Sequence, residues 1–106
     1  MKTNTVRARL QRGECVIGTW LTLASPMAAH LMARVGFDWL TVELEHSPTT
    51  FETAASCYGL IAAHDCAPLT RVPINSVENI KRALDMGSWG IIVPMVNSKN
   101  PCRERV

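Results

Sequence analysis

The chain has 106 residues, of which 47% are apolar and 19% charged, and its net charge is +2. This fits one small domain with its own core and excludes a disordered tail. An uninterrupted apolar run of about 18 residues, long enough to span a membrane, is absent from the sequence. The N-terminus lacks the basic patch and apolar stretch of a secretory signal, so the expectation is a cytoplasmic protein. Arg7, Arg9 and Arg12 cluster near the start, but Glu14 follows at once. They read as the solvated face of a leading helix. A nucleic-acid surface would want a longer basic stripe with interleaved aromatics. The four cysteines, Cys15, Cys57, Cys66 and Cys102, form no C-x-x-C pair and read as reduced, mostly buried thiols.

Residues 4–12 read as a helix ended by Gly13. Residues 15–21 read as a first strand, which places Cys15 in an apolar setting. Ser25-Pro26 then opens a helix, serine as N-cap and proline at the first helical position. Its large apolar residues Met27, Leu31 and Val35 share one face, and Gly36 ends it.

The stretch from Phe37 to Glu45 is rich in strand formers and reads as a second strand, broken by His46-Ser47-Pro48. Thr49 and Glu52 have capping-box spacing for the next helix, which closes near His64. Pro68–Val72 is a short third strand. Asn75-Ser76 precedes a helix with Val77, Ile80 and Leu84 on its inner face and Gly87 at its end. Gly90–Val93 is the fourth strand, and the polar residues from Asn97 onward have the composition to begin a further helix.

Strands alternating with helices imply parallel pairing and right-handed crossovers, hence the α/β class. Periodicity does not separate an open doubly wound sheet from a (β/α) barrel. In both, sites form at the carboxyl ends of the strands. No Gly-x-Gly-x-x-Gly or Walker motif supports nucleotide binding.

That rule selects Glu43, Glu45 and His46 after the second strand and Arg71 after the third. The two-residue period puts both glutamates on one side of the strand. Two carboxylates there need a compensating metal, metal-bound water or arginine. His46 beside them suits a general base, and a solvated surface turn is the alternative. Arg71 suits a bidentate clamp on a carboxylate or an ion pair to Glu43 or Glu45. His30 and His64 have no acidic or cysteine partner at ligand spacing and read as structural or solvent-facing. Trp20, Trp39 and Trp89 read as packing residues.

Several strings together carry a resemblance. They are Gly18-Thr19-Trp20-Leu21 with Ser25-Pro26, Ala33 to Trp39, Glu45-His46-Ser47-Pro48, Thr70-Arg71-Val72-Pro73, Ile80 to Gly87, and Gly90 to Asn97. In this order and spacing they resemble the HpcH/HpaI family, the metal-dependent 2-oxo-acid aldolases. The resemblance implies a (β/α)8 TIM barrel that cleaves 4-hydroxy-2-oxo acids to pyruvate and an aldehyde, with a divalent Mg²⁺, Mn²⁺ or Co²⁺. It implies that His46 is the acid–base residue, that Arg71 binds pyruvate and its enolate, and that Asp85 supports the histidine. Glu43 and Glu45 would lie near the metal or its waters, Glu43 standing where the family usually has Asp. Trp89 stands where the family often has a polar residue.

Asp85 ends a helix, which in a barrel runs toward the face opposite the active site. It reaches a catalytic histidine only if the helix end bends inward or another subunit supplies it. The family's direct metal ligands come from later strands, so none is expected in this chain. A barrel needs about 250 residues, so the expectation is the N-terminal half of one, about four β/α units, spanning 1–106 and truncated at the C-terminus. The expected partners are a 2-oxo acid, an aldehyde and further copies in a homo-oligomer, with no nucleic acid and no membrane. The expectation for this chain alone is no activity, and the alternative is a noncatalytic α/β module that self-associates.

Overall fold

The structure, a computed structural model, describes residues 3–97. Cys102 and the expected start of a further helix after Asn97 lie outside the described residues. Eight elements follow in chain order: α1 (Thr5–Gln11), β1 (Gly18–Leu21), α2 (Pro26–Ala33), β2 (Trp39–Glu43), α3 (Phe51–Ala62), β3 (Ala67–Arg71), α4 (Val77–Asp85) and β4 (Gly90–Ile92). The strands form one sheet in the order β1-β2-β3-β4, and their parallel pairing is the one that the alternation of strand and helix implies.

Capping residues start the helices where the sequence places them, with one shift. Ser25 and Ser76 accept hydrogen bonds from Ala28 N and Asn79 N. The cap of α3 is Thr50, which accepts from Thr53 N, so Thr49 and Glu52 do not form the expected capping box. Thr49 is instead buried and hydrogen-bonded to Ser47. β1 starts at Gly18, later than expected, so Cys15 precedes it and is exposed.

Two helix faces also differ from the sequence reading. On α2 the buried residues are Ala29 and Ala33, while Met27, Leu31 and, just past the helix, Val35 are exposed. The helix is apolar nearly all round, so periodicity does not choose a face. Small alanines allow α2 to approach the core formed by Leu40, Val42, Leu44, Ala54, Cys57, Tyr58 and Ile61. On α4 only Ala83 is buried, and Val77 and Leu84 are exposed. Met27 and Leu31 of α2 and Val77 and Leu84 of α4 thus face outward, while Met32 packs on the core and Ile80 is half-buried.

Alternate residues of β2 separate the two faces of the sheet. Leu40 and Val42 join the helix-side core. Trp39, Thr41 and Glu43 take the opposite face. Register extends this face across the sheet, pairing Gly18 with Trp39, Trp20 with Thr41, and Glu43 with Arg71. Gly18 is required here, because a Cβ would run into the ring and carbonyl of Trp39.

α1 crosses the amino ends of the strands. Asn4 Nδ2 donates to Trp89 O at 3.2 Å, just before β4. Arg9 pairs with Asp38, which also accepts from Ile17 N at 2.7 Å. Arg9 is therefore a tether between α1 and the sheet, not part of a solvated face. Its second guanidinium nitrogen donates to Cys15 O at 2.8 Å.

Candidate active site

β2 and β3 end side by side, and their register brings Glu43 opposite Arg71. The Glu43 side chain is 2% exposed and pairs with the Arg71 guanidinium. Its other oxygen, Oε1, accepts from the backbone N–H groups of Glu45 at 2.6 Å and His46 at 3.2 Å. Glu43 therefore fixes the turn that presents His46 as well as holding the arginine. Ser47 Oγ donates to the carbonyl of Glu43 and closes the same turn. Burial alone would raise the Glu43 carboxyl, but Arg71 and the two N–H groups outweigh it and hold it below the usual range.

Arg71 Nε lies 3.2 Å from Glu45 Oε2, an ionic approach without hydrogen-bond alignment. The same carboxylate oxygen is 3.5 Å from His46 Nε2. His46 itself is 71% exposed, so its ring is free to approach a ligand above the strand ends. The Arg71 guanidinium also sits over the Trp20 ring, 4.9 Å from its centroid. Trp20 is thus more than a packing residue, and packing on its ring favours a cation.

The structure brings Glu43, Glu45, His46 and Arg71 into one cluster at the carboxyl ends of β2 and β3. It does not bring Asp85 there. Asp85 is the last residue of α4, exposed, and that helix ends where β4 begins, at the opposite end of the layer. The helix end does not bend inward toward the cluster. Trp20 was missed by the sequence reading. Its place on the same sheet face as Glu43 and Arg71 follows from the strand register, which the sequence alone does not carry.

Among the described residues no group of three or more His, Cys, Asp or Glu side chains is arranged to hold a metal ion. The acids of the cluster are already committed, Glu43 to Arg71 and two backbone N–H groups, and Glu45 between Arg71 and His46. This donor set does not fit a direct metal centre.

A separate cavity of about 320 Å³ lies between the β1–α2 loop and α3, with Trp20, Thr49 and Cys57 in its wall. The Cys57 and Cys66 thiols are buried, and burial pushes both up, Cys66 to about 11. Neither is a ready nucleophile.

Fold and cluster together define an α/β protein of parallel β/α units with its polar site at the carboxyl ends of the strands. The chain matches the HpcH/HpaI aldolase/citrate lyase family over residues 16–106 and belongs to that family. It is 38% identical to a 4-hydroxy-2-oxo-heptane-1,7-dioate aldolase of Escherichia coli over 97% of its own length. It is 36% identical to a hydroxypyruvate/pyruvate aldolase of Deinococcus radiodurans over 98% of its length. Among solved structures it superposes on an HpcH/HpaI aldolase/citrate lyase family protein of Burkholderia cenocepacia with a TM-score of 0.86 at 34% identity, covering 93% of this chain and 40% of that one. The chain spans 39% and 38% of the length of the two aldolases. Its four parallel strands and their helices thus correspond to about two fifths of the TIM-barrel-type structures it matches.

Proposed function

We propose that the chain supplies the carboxylate-binding and acid–base part of a pyruvate-type aldolase, a carbon–carbon lyase acting on 4-hydroxy-2-oxo acids. The observation that carries this reading is the Arg71 guanidinium held between Glu43, Glu45 and the Trp20 ring at the carboxyl strand ends, with His46 beside it. In this reading residues 1–106 form the N-terminal portion of a (β/α)8 barrel. The membership of the family and the names of the relatives support it.

Arg71 would hold the substrate carboxylate through two parallel N–H bonds, and its charge would stabilise the enolate. His46 would take the proton of the C4 hydroxyl. The C3–C4 bond then breaks, its electron pair forms the C2–C3 double bond of the enolate, and C4 becomes the aldehyde carbonyl. Return of the proton from His46 to C3 gives pyruvate. Glu45, close to both side chains, would orient His46 and Arg71. A divalent ion such as Mg²⁺, Mn²⁺ or Co²⁺ belongs to the whole protein in this reading. Its ligands would lie outside the described residues, and no step above depends on it.

Asp85, at the far end of the layer, would act on the His46 of another copy in a homo-oligomer. The exposed apolar residues Leu23, Met27, Leu31 and Val35, with Ile74, Val77 and Leu84, favour such association. They equally favour the second reading, a noncatalytic module that self-associates. Saturation-transfer NMR separates the two. Protein irradiation should attenuate the pyruvate methyl signal for the wild-type chain and far less for Arg71→Lys. Equal attenuation, or none with either protein, overturns the carboxylate site. Cleavage assays with added Mg²⁺, Mn²⁺ or Co²⁺ should give no turnover above background for this chain alone.

A further inference from the structure

His30 on α2 and His64, just after α3, are 34 positions apart in sequence but face one another. His30 Nδ1 and His64 Nε2 are 3.5 Å apart, and the rings are tilted by 50° with centroids separated by 5.2 Å. Both residues are half-buried. They lie on the helix side of the sheet, away from the Arg71 cluster.

The spacing is long for a hydrogen bond, since N–H donors normally sit about 2.7–3.2 Å from their acceptors. It suits a shared ion better. Zinc–imidazole bonds are about 2.0–2.1 Å, so two nitrogens on a tetrahedral centre stand roughly 3.3–3.4 Å apart. The observed separation is within a small ring rotation of that value. His64 also borders an open cavity of about 240 Å³, so its ring is reached by solvent.

We propose that His30 and His64 form a two-imidazole site for a borderline transition-metal ion, Zn²⁺ above all. Imidazole nitrogens suit Zn²⁺, Cu²⁺ and Ni²⁺, whereas Mg²⁺ and Mn²⁺ prefer oxygen ligands. The ion would bind His30 Nδ1 and His64 Nε2, with water in the remaining positions. Each ring would bind the ion through its inward nitrogen and carry its N–H on the outward one, the tautomer in which a neutral imidazole serves as a ligand. The site would clip α2 to α3 and owes nothing to the aldolase reading.

The test is calorimetric titration with Zn²⁺ of the full chain carrying Cys15→Ser and Cys102→Ser, so that those thiols cannot contribute. One ion per chain is expected. Loss of even an outer partner of a metal ligand costs about 10–100-fold in affinity. His30→Gln or His64→Gln should therefore weaken binding at least about tenfold, while His46→Gln leaves it unchanged. Long-range ¹H–¹⁵N spectra of the unsubstituted histidine rings give a second readout that requires no folded variant. His30 Nδ1 and His64 Nε2 should shift together on saturation. Absence of binding, ring nitrogens that do not move, or full affinity in a folded glutamine variant overturns the proposal.

Discussion

Replacing Glu43 by Gln probes the residue on which the candidate site is built. The substitution keeps the shape of the side chain but removes the charge that pairs with Arg71 and accepts from Glu45 N and His46 N. Breaking a fully buried ion pair from one side costs about 3–5 kcal/mol. Arg71 is 26% exposed and retains Glu45, so water and the second carboxylate recover part of that loss. The expected cost is about 2 kcal/mol. For a domain of this size that corresponds to a fall of roughly 10 °C in Tm.

The penalty also depends on pH, and its sign is fixed. The folded Glu43 carboxyl titrates below its reference value of 4.5, so the carboxylate contributes stability above that pH. The contribution is lost as pH falls through the depressed folded value. The stability gap between wild type and Glu43→Gln should therefore be constant near neutrality and close in acid. Urea denaturation followed by tryptophan fluorescence between pH 3 and 7 measures it. A variant within about 0.5 kcal/mol of wild type at pH 7, the range of ordinary surface substitutions, would refute this account of Glu43. A gap that does not change with pH would refute the electrostatic part.

Three further predictions concern the frame that holds the site. The hydroxyls of Tyr58, Thr70 and Ser88 form a buried chain with links of 2.6 and 2.9 Å, and Ser88 Oγ donates on to Gly90 O at 2.9 Å. Tyr58→Phe removes one link and should cost about 1 kcal/mol in chemical denaturation, and an unchanged midpoint would dissolve the chain as a stabilising feature. Gly18→Ala drives a methyl into Trp39 and should cost about 3 kcal/mol. Gly59→Ala, in the body of α3 with open space around its Cβ position, should instead add about 0.5–1 kcal/mol. Equal effects at the two glycines would contradict the packing described for β1 and β2.

The alternation of elements was legible because each helix carries a local start signal and each strand a short β-branched or apolar run. Ser25-Pro26 and Ser76 cap α2 and α4 through contacts three residues away, which sequence spacing reports directly. The strand-end cluster was legible for a related reason, since residues that close parallel strands share one end of the sheet. Contacts between distant segments were not. Arg9 meets Asp38 across 29 positions and His30 meets His64 across 34, and no local pattern specifies either. The inner face of α2 was misread because both of its faces are apolar and only packing decides that alanines go inward. The Arg71–Trp20 contact required knowing which parity of β1 shares the face of β3.

The central claim is that Arg71 receives a carboxylate at the strand ends. It is tested most directly by titrating the ¹⁵N-labelled chain with pyruvate while following the Arg71 Nε–H resonance. The account predicts a saturable shift of Nε–H together with the amides of Glu45 and His46, whose N–H groups share Glu43 with the arginine. Lactose at the same concentration, lacking a carboxylate, should produce none of it. An Arg71 resonance that stays fixed while other residues respond, or no response at all, would contradict the claim.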